Sequence, residues 1–146
     1  MGLDWSSEGV DWRDESLDDA MARDWLRATQ VRDLPADDPK LEEIDDVWSR
    51  VLELTQSDLD PPRGWRLLKR LVELAKNDRE LWHIGRNPLS AMVVNHESLV
   101  ASELEQLYRT DPKWRQAFEG QLYVPPFIIT KGTQAGDAAD KPEQTS

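Results

Sequence analysis

The two histidines, His83 and His96, are the side chains of this sequence best suited to acid–base chemistry or metal binding. Glu97 follows His96 directly, and Glu103 lies seven residues after it, two turns along one helix, so both ends of that segment can border one cleft. A histidine beside carboxylates suits metal-assisted hydrolysis. One interpretation is therefore a metal-dependent hydrolase centred on His96, Glu97 and Glu103.

Several absences in the sequence weigh against catalysis. His96-Glu97 has no second histidine four residues after the first, which the zinc-protease pattern requires. Ser98 and Ser102 lie two and six residues after His96, and neither spacing brings two side chains together on a helix. The chain has no cysteine and no glycine-rich phosphate loop. We therefore expect a non-catalytic protein with two structural histidines, no metal and no cofactor.

The charge balance favours a protein partner with a basic surface. The chain has 29 acidic and 18 basic side chains and a net charge of −11, which repels nucleic acid and anionic membranes. This predicts an inhibitor, an immunity-type protein or an accessory protein, and the alternative of a nucleic-acid mimic stays open. No apolar run reaches about 20 residues, and the first residues lack a signal-peptide pattern, so we expect a cytoplasmic location.

The two signs of charge are separated along the chain. Residues 1–60 have 18 acidic and 6 basic side chains, whereas residues 61–120 have 8 and 10. The basic residues of the second half predict one basic helix face, formed by Arg63, Arg66, Lys69 and Arg70. Either this face pairs internally with acidic residues of the first half, or those residues meet an outside partner. The pairing would involve Asp18, Asp19, Glu42 and Asp46.

Six residues are the candidates for contact with an outside partner. Four of them form the acidic pairs Asp18-Asp19 and Asp45-Asp46. The other two, Trp5 and Trp12, lie outside any apolar helical stripe, and exposed tryptophans are common at the centres of interfaces. The remaining tryptophans that lie on apolar stripes are expected in the core: Trp25, Trp48, Trp65 and Trp114.

Apolar residues spaced three and four apart predict an all-α fold of five to seven helices packed as antiparallel pairs. Asp or Asn before proline, at positions 38, 60, 87 and 111, marks four helix starts, Asn77 with Glu80 marks a fifth, and Gly85 and Gly120 mark two ends. The longer helices are expected at about residues 14–30, 41–56, 61–76 and 96–109. Residues 1–13 are interpreted as an N-terminal arm, 14–126 as one helical domain, and 127–146 as an extended strap and a disordered tail.

Short motifs in the second half have a spacing that is typical of one family. They are Pro88-Leu89, His96, Leu104-Glu105 and Asp111-Pro112, the last followed by Trp114-Arg115. Over about residues 25–123 the sequence resembles a bacterial domain-of-unknown-function family of small acidic helical proteins. Its pattern is roughly Gly-Pro-Leu-Glu, His-Gly, Ile-Glu and Asp-Pro-x-Phe-Arg. The resemblance implies a helical architecture and no particular mechanism.

Overall fold

The computed structural model describes residues 3–120, and these form helices and no strand. The helices are α1 (Asp18–Arg32), α2 (Lys40–Gln56), α3 (Pro61–Leu74), α4 (Asp78–Ile84), α5 (Ser90–Thr110) and α6 (Pro112–Phe118). A 3-10 turn, Glu15–Leu17, precedes α1, and a π-helical turn, Gly85–Leu89, joins α4 to α5. The predicted all-α class is confirmed. The predicted strap and tail at residues 127–146 lie outside the described residues.

At the start of three helices, an aspartate that precedes a proline accepts a hydrogen bond from a backbone N–H group. The carboxylate of Asp60 accepts a hydrogen bond from the backbone N–H of Arg63, and that of Asp111 accepts one from Lys113. Asp38 does the same for Lys40 at the start of α2. These bonds satisfy N–H groups that have no partner within the helix. Three of the four predicted Asp/Asn-Pro starts are therefore confirmed.

The fourth start, at Asn87-Pro88, is wrong, and so is the predicted end at Gly85. The chain continues from α4 through the π-helical turn into α5. Side chains bond carbonyl groups in this irregular turn: Asn87 Nδ2 donates to the carbonyl of His83, and Ser90 Oγ donates to that of Gly85. Proline is tolerated because such bonds replace the helical one that its missing N–H removes.

The buried core is built from tryptophans and aliphatic side chains of all six helices. The rings of Trp25 on α1 and Trp48 on α2 stack with centroids 4.6 Å apart, and the ring of Trp65 lies 5.5 Å from that of Trp114. Helix α1 contacts both α2 and α3, and α2 also contacts α5. The prediction that tryptophans on the apolar stripes belong to the core is confirmed.

The N-terminal segment packs onto the helices, so the interpretation of Trp5 and Trp12 as exposed contact residues is wrong. Only 3% of Trp5 and 8% of Trp12 is exposed. Trp5 Nε1 donates to Asp24 on α1 at 2.7 Å, and its carbonyl accepts from Arg50 on α2 at 2.9 Å. The two indoles thus cover core surface without belonging to a helix, which is why they show no helical periodicity.

Basic side chains from other parts of the chain cap the C-terminal ends of three helices. Arg79 donates to the carbonyl of Thr29 at the end of α1, and Lys113 Nζ donates to the carbonyls of Glu73 and Ala75 at the end of α3. Arg115 does the same for Tyr108 and Arg109 on α5. Cations there complement the partial negative charge of the helix end. Several basic side chains are thereby bonded to backbone carbonyl groups within the fold.

Candidate functional site

The predicted basic face on α3 is engaged within the protein, and its first member is buried. Only 4% of the Arg63 side chain is exposed. Its guanidinium lies 2.7 Å from Asp18 Oδ1 and also donates to the carbonyls of Trp12 and Arg13. This network ties the N-terminal segment, α1 and α3 together. Arg63 is thus a core group rather than part of a surface.

The other three basic residues of that face form exposed ion pairs. Arg66 pairs with Glu15, Lys69 with Glu103 and Arg70 with Asp19. The hydrogen bond from Arg70 is the main reason that the pKa of Asp19 lies below its usual value. Internal pairing is therefore confirmed for Asp18 and Asp19, two of the candidates for outside contact.

The three residues of the hydrolase interpretation do not form a shared centre. His96 is buried at a kink in α5, and its Nε2 lies 2.9 Å from the carbonyl of Ser57. Glu103 accepts from Trp65 Nε1 at 2.8 Å, the main reason for its lowered pKa, and pairs with Lys69. No group of three His, Asp or Glu side chains within residues 3–120 is arranged to hold a metal. The geometry gives this interpretation no support.

His83 is the other histidine, and it also has a structural setting. Only 4% of the residue is exposed, and its ring meets the rings of Trp48 and Trp82 edge to face. Its Nε2 lies 3.5 Å from Asp33. Burial lowers the pKa of His83 more than the nearby carboxylate raises it. The ring is therefore neutral at pH 7.

The outward side of α2 presents carboxylates that form no ion pair with a described cation. Glu42, Asp46 and Glu53 are exposed and, four and seven residues apart, lie along one side of the helix. None of them forms an ion pair with a side chain that the structure describes. Arg50, also on α2, instead bonds the carbonyl of Trp5. We call Glu42, Asp46 and Glu53 the α2 acidic row.

The predicted pairing of Glu42 and Asp46 with α3 is therefore wrong. Both lie on the side of α2 opposite the buried Val51 and Leu54, at 100° of rotation per residue. Asp45, the neighbouring contact candidate, lies 3.3 Å from Arg32 in an exposed pair. Glu53 was not predicted as a site residue, although its spacing of seven from Asp46 is a signal that places both on one face.

One exposed apolar side chain, Leu52, lies on a different side of α2 from the acidic row, at about 100° of rotation from Glu53. Leu52 is 41% exposed. It borders a hollow of about 130 Å³ together with Asp45, Trp48 and Pro88. The buried Nε1 of Trp48 has no hydrogen-bond partner among the described residues. No residue of the α2 acidic row lines this hollow, and its one carboxylate, Asp45, pairs with Arg32.

The residues of the family pattern have structural roles in this fold. Pro88 and Leu89 are buried in the π-helical turn, and Glu105 pairs with Arg109. The other members form the kink and the helix caps described above: His96, Asp111, Pro112 and Arg115. These roles are consistent with an architectural motif.

No helix among residues 3–120 has the length and apolar character needed to cross a bilayer. The resemblance to the bacterial helical family stays a prediction. Comparisons with protein-family models, with curated proteins and with solved structures gave no match to this chain.

Proposed function

We propose that this chain is a non-catalytic binding protein, of the inhibitor, immunity or accessory kind, whose partner presents a basic surface to α2. The observation that carries the proposal is the contrast between two acidic surfaces. Asp18 and Asp19 on α1 are bonded by Arg63 and Arg70, whereas the α2 acidic row has no described partner. Acidic charge left free on one helix face attracts a basic protein surface and raises the rate of encounter.

The internal use of basic side chains supports the same conclusion. Arg79, Lys113 and Arg115 bond helix ends, and Arg63 bonds two carbonyls and Asp18. These cations are held by fixed partners, so they do not compensate the carboxylates on the far side of α2. We therefore expect the negative electrostatic potential that follows from the net charge of −11 to be strong at surfaces such as the α2 acidic row.

The test compares two variants that change net charge equally. The row variant combines Glu42→Gln, Asp46→Asn and Glu53→Gln, and the control variant combines Glu8→Gln, Asp37→Asn and Glu119→Gln at exposed positions elsewhere. Each protein is immobilised and used to capture partners from a bacterial lysate. We expect one partner that is retained by the native and control proteins, elutes as salt rises past ~0.15 M, and is lost with the row variant. Equal retention by both variants would refute the role of α2.

Nucleic-acid mimicry is the second candidate within this proposal. Carboxylates repeated along a helix face can substitute for backbone phosphates in a basic groove. Competition identifies it, because a mimic and duplex DNA displace each other from the captured partner. If DNA does not compete, the chain is a binding protein of the inhibitor, immunity or accessory kind and not a nucleic-acid mimic.

A further inference from the structure

A groove of about 280 Å³ lies between α1, α2 and the N-terminal segment, away from the α2 acidic row. Its apolar lining comes from both helices and includes Ala28 and Val31 of α1 and Ile44 and Val47 of α2. Trp5 of the N-terminal segment also lines it. Val31 and Ile44 are only partly buried, so part of this apolar surface remains open to solvent. A concave apolar site of this kind suits one small ligand.

The polar groups of the groove are two cations and one satisfied carboxylate. Asp24 accepts from Trp5 Nε1 and from the backbone N–H of Leu3, and it also pairs with Arg27. Its negative charge is thus compensated by three donors. Arg27 uses one of its five N–H groups in that pair and is half exposed. The groove therefore carries more available positive than negative charge.

Lys40 makes this excess unusual in so acidic a protein. It is exposed, lines the groove, and its ammonium group bonds none of the side chains that the structure describes. It is also the first residue of α2, where a cation is electrostatically unfavourable because the helix start is itself partly positive. Among the described side chains, the Lys40 ammonium group is therefore available to a ligand in the groove.

We propose that this groove binds a small hydrophobic carboxylate, whose aliphatic or aromatic body lies on the apolar floor and whose head group meets Lys40 and Arg27. A single negative charge fits better than a phosphate, since the net charge of −11 opposes a dianion more strongly than a monoanion. This site is separate from the α2 acidic row. The proposal for the groove therefore does not depend on the protein partner proposed for that row.

The experiment uses octanoate as the probe and the full chain as the protein. Binding is followed by calorimetry and by two-dimensional NMR of the indole N–H of Trp5 and the methyl groups of Val31 and Ile44. Acetate, which has only the head group, and octylamine, which has the opposite charge, are titrated alongside. We expect saturable binding of octanoate, shifts confined to the groove, and no saturation with acetate or octylamine.

Two matched lysine variants test the head-group contact. Lys76 also makes no described side-chain bond and lies outside this groove, so Lys40→Glu and Lys76→Glu change net charge equally. We expect Lys40→Glu to weaken octanoate binding about tenfold, because attraction becomes repulsion, and Lys76→Glu to change it less than about twofold. The larger side chain of Val31→Phe should fill the groove and abolish octanoate binding. The proposal is overturned if octanoate does not saturate the native protein, if octylamine binds equally, or if the two lysine variants behave alike.

Discussion

Arg63 on α3 lies 2.7 Å from the carboxylate of Asp18 on α1, with only 4% and 17% of the two side chains exposed. Replacing Arg63 with methionine leaves that carboxylate and two backbone carbonyls without their donor in a largely dry site. We expect Arg63→Met to lower the free energy of unfolding by about 3–5 kcal/mol. Urea denaturation followed by tryptophan fluorescence measures the loss.

Arg66, one turn away on α3, provides the control for this prediction. It pairs with Glu15, and about half of each side chain is exposed. Arg66→Met should therefore cost less than about 1 kcal/mol. Equal losses for Arg63→Met and Arg66→Met would show that burial of the first pair does not determine its contribution. A double-mutant cycle with Asp18→Asn isolates the pair from the carbonyl bonds.

Gly64 on α3 lies directly against the backbone of α2. A Cβ at this position would lie 2.1 Å from the backbone carbonyl oxygen of Leu54. Helix propensity alone predicts that Gly64→Ala stabilises the protein by about 1 kcal/mol. We expect the opposite sign, a loss of at least about 2 kcal/mol, because the two helices must separate. A rise in melting temperature would contradict this close approach.

The buried His83 makes stability depend on pH. Its folded pKa lies below the unfolded value of about 6.5, mainly through burial, with Asp33 opposing the shift and Arg79 and Arg32 adding to it. Below pH ~6.5 the unfolded chain therefore binds a proton that the folded protein does not. The free energy of unfolding should fall as pH falls, by at most about 1.4 kcal/mol per pH unit from this residue.

Comparison with His83→Asn separates this contribution from that of other groups. The variant retains His96 and all carboxylates, so the difference between the two pH profiles reports His83 alone. We expect the profiles to diverge below pH ~6.5 and run parallel above it. Profiles that stay parallel from pH 7.5 to 5 would show that His83 titrates equally in both states.

The helices could be predicted from the sequence because their signals are local. Apolar spacing and aspartate caps predicted α2 and the starts of α3 and α6 closely. The π-helical turn could not be predicted in this way, since Asn87-Pro88 has the local pattern of a helix start. The bonds of Asn87 to His83 and of Ser90 to Gly85, which the pattern does not reveal, accommodate the proline.

The candidate site was predicted only in part because charge pairing depends on how helices face one another. Complementary charge in the two halves correctly indicated the pairing of Asp18 and Asp19 with α3. It wrongly included Glu42 and Asp46, because total charge contains no information on which side of α2 faces the core. Trp5 and Trp12 were misassigned for a related reason, as periodicity cannot identify an irregular segment that covers the core.

Binding of a basic partner by the α2 acidic row is tested most directly through the affinity of the purified partner. Dissociation constants are measured for the native, row-variant and control-variant proteins at low and high salt. We predict that the row variant binds at least about tenfold more weakly than the native protein at low salt, and that the control variant stays within about twofold of it. At 0.5 M salt the three values should converge. Equal weakening of both variants at low salt would contradict the claim, because binding would then follow net charge and not the α2 acidic row.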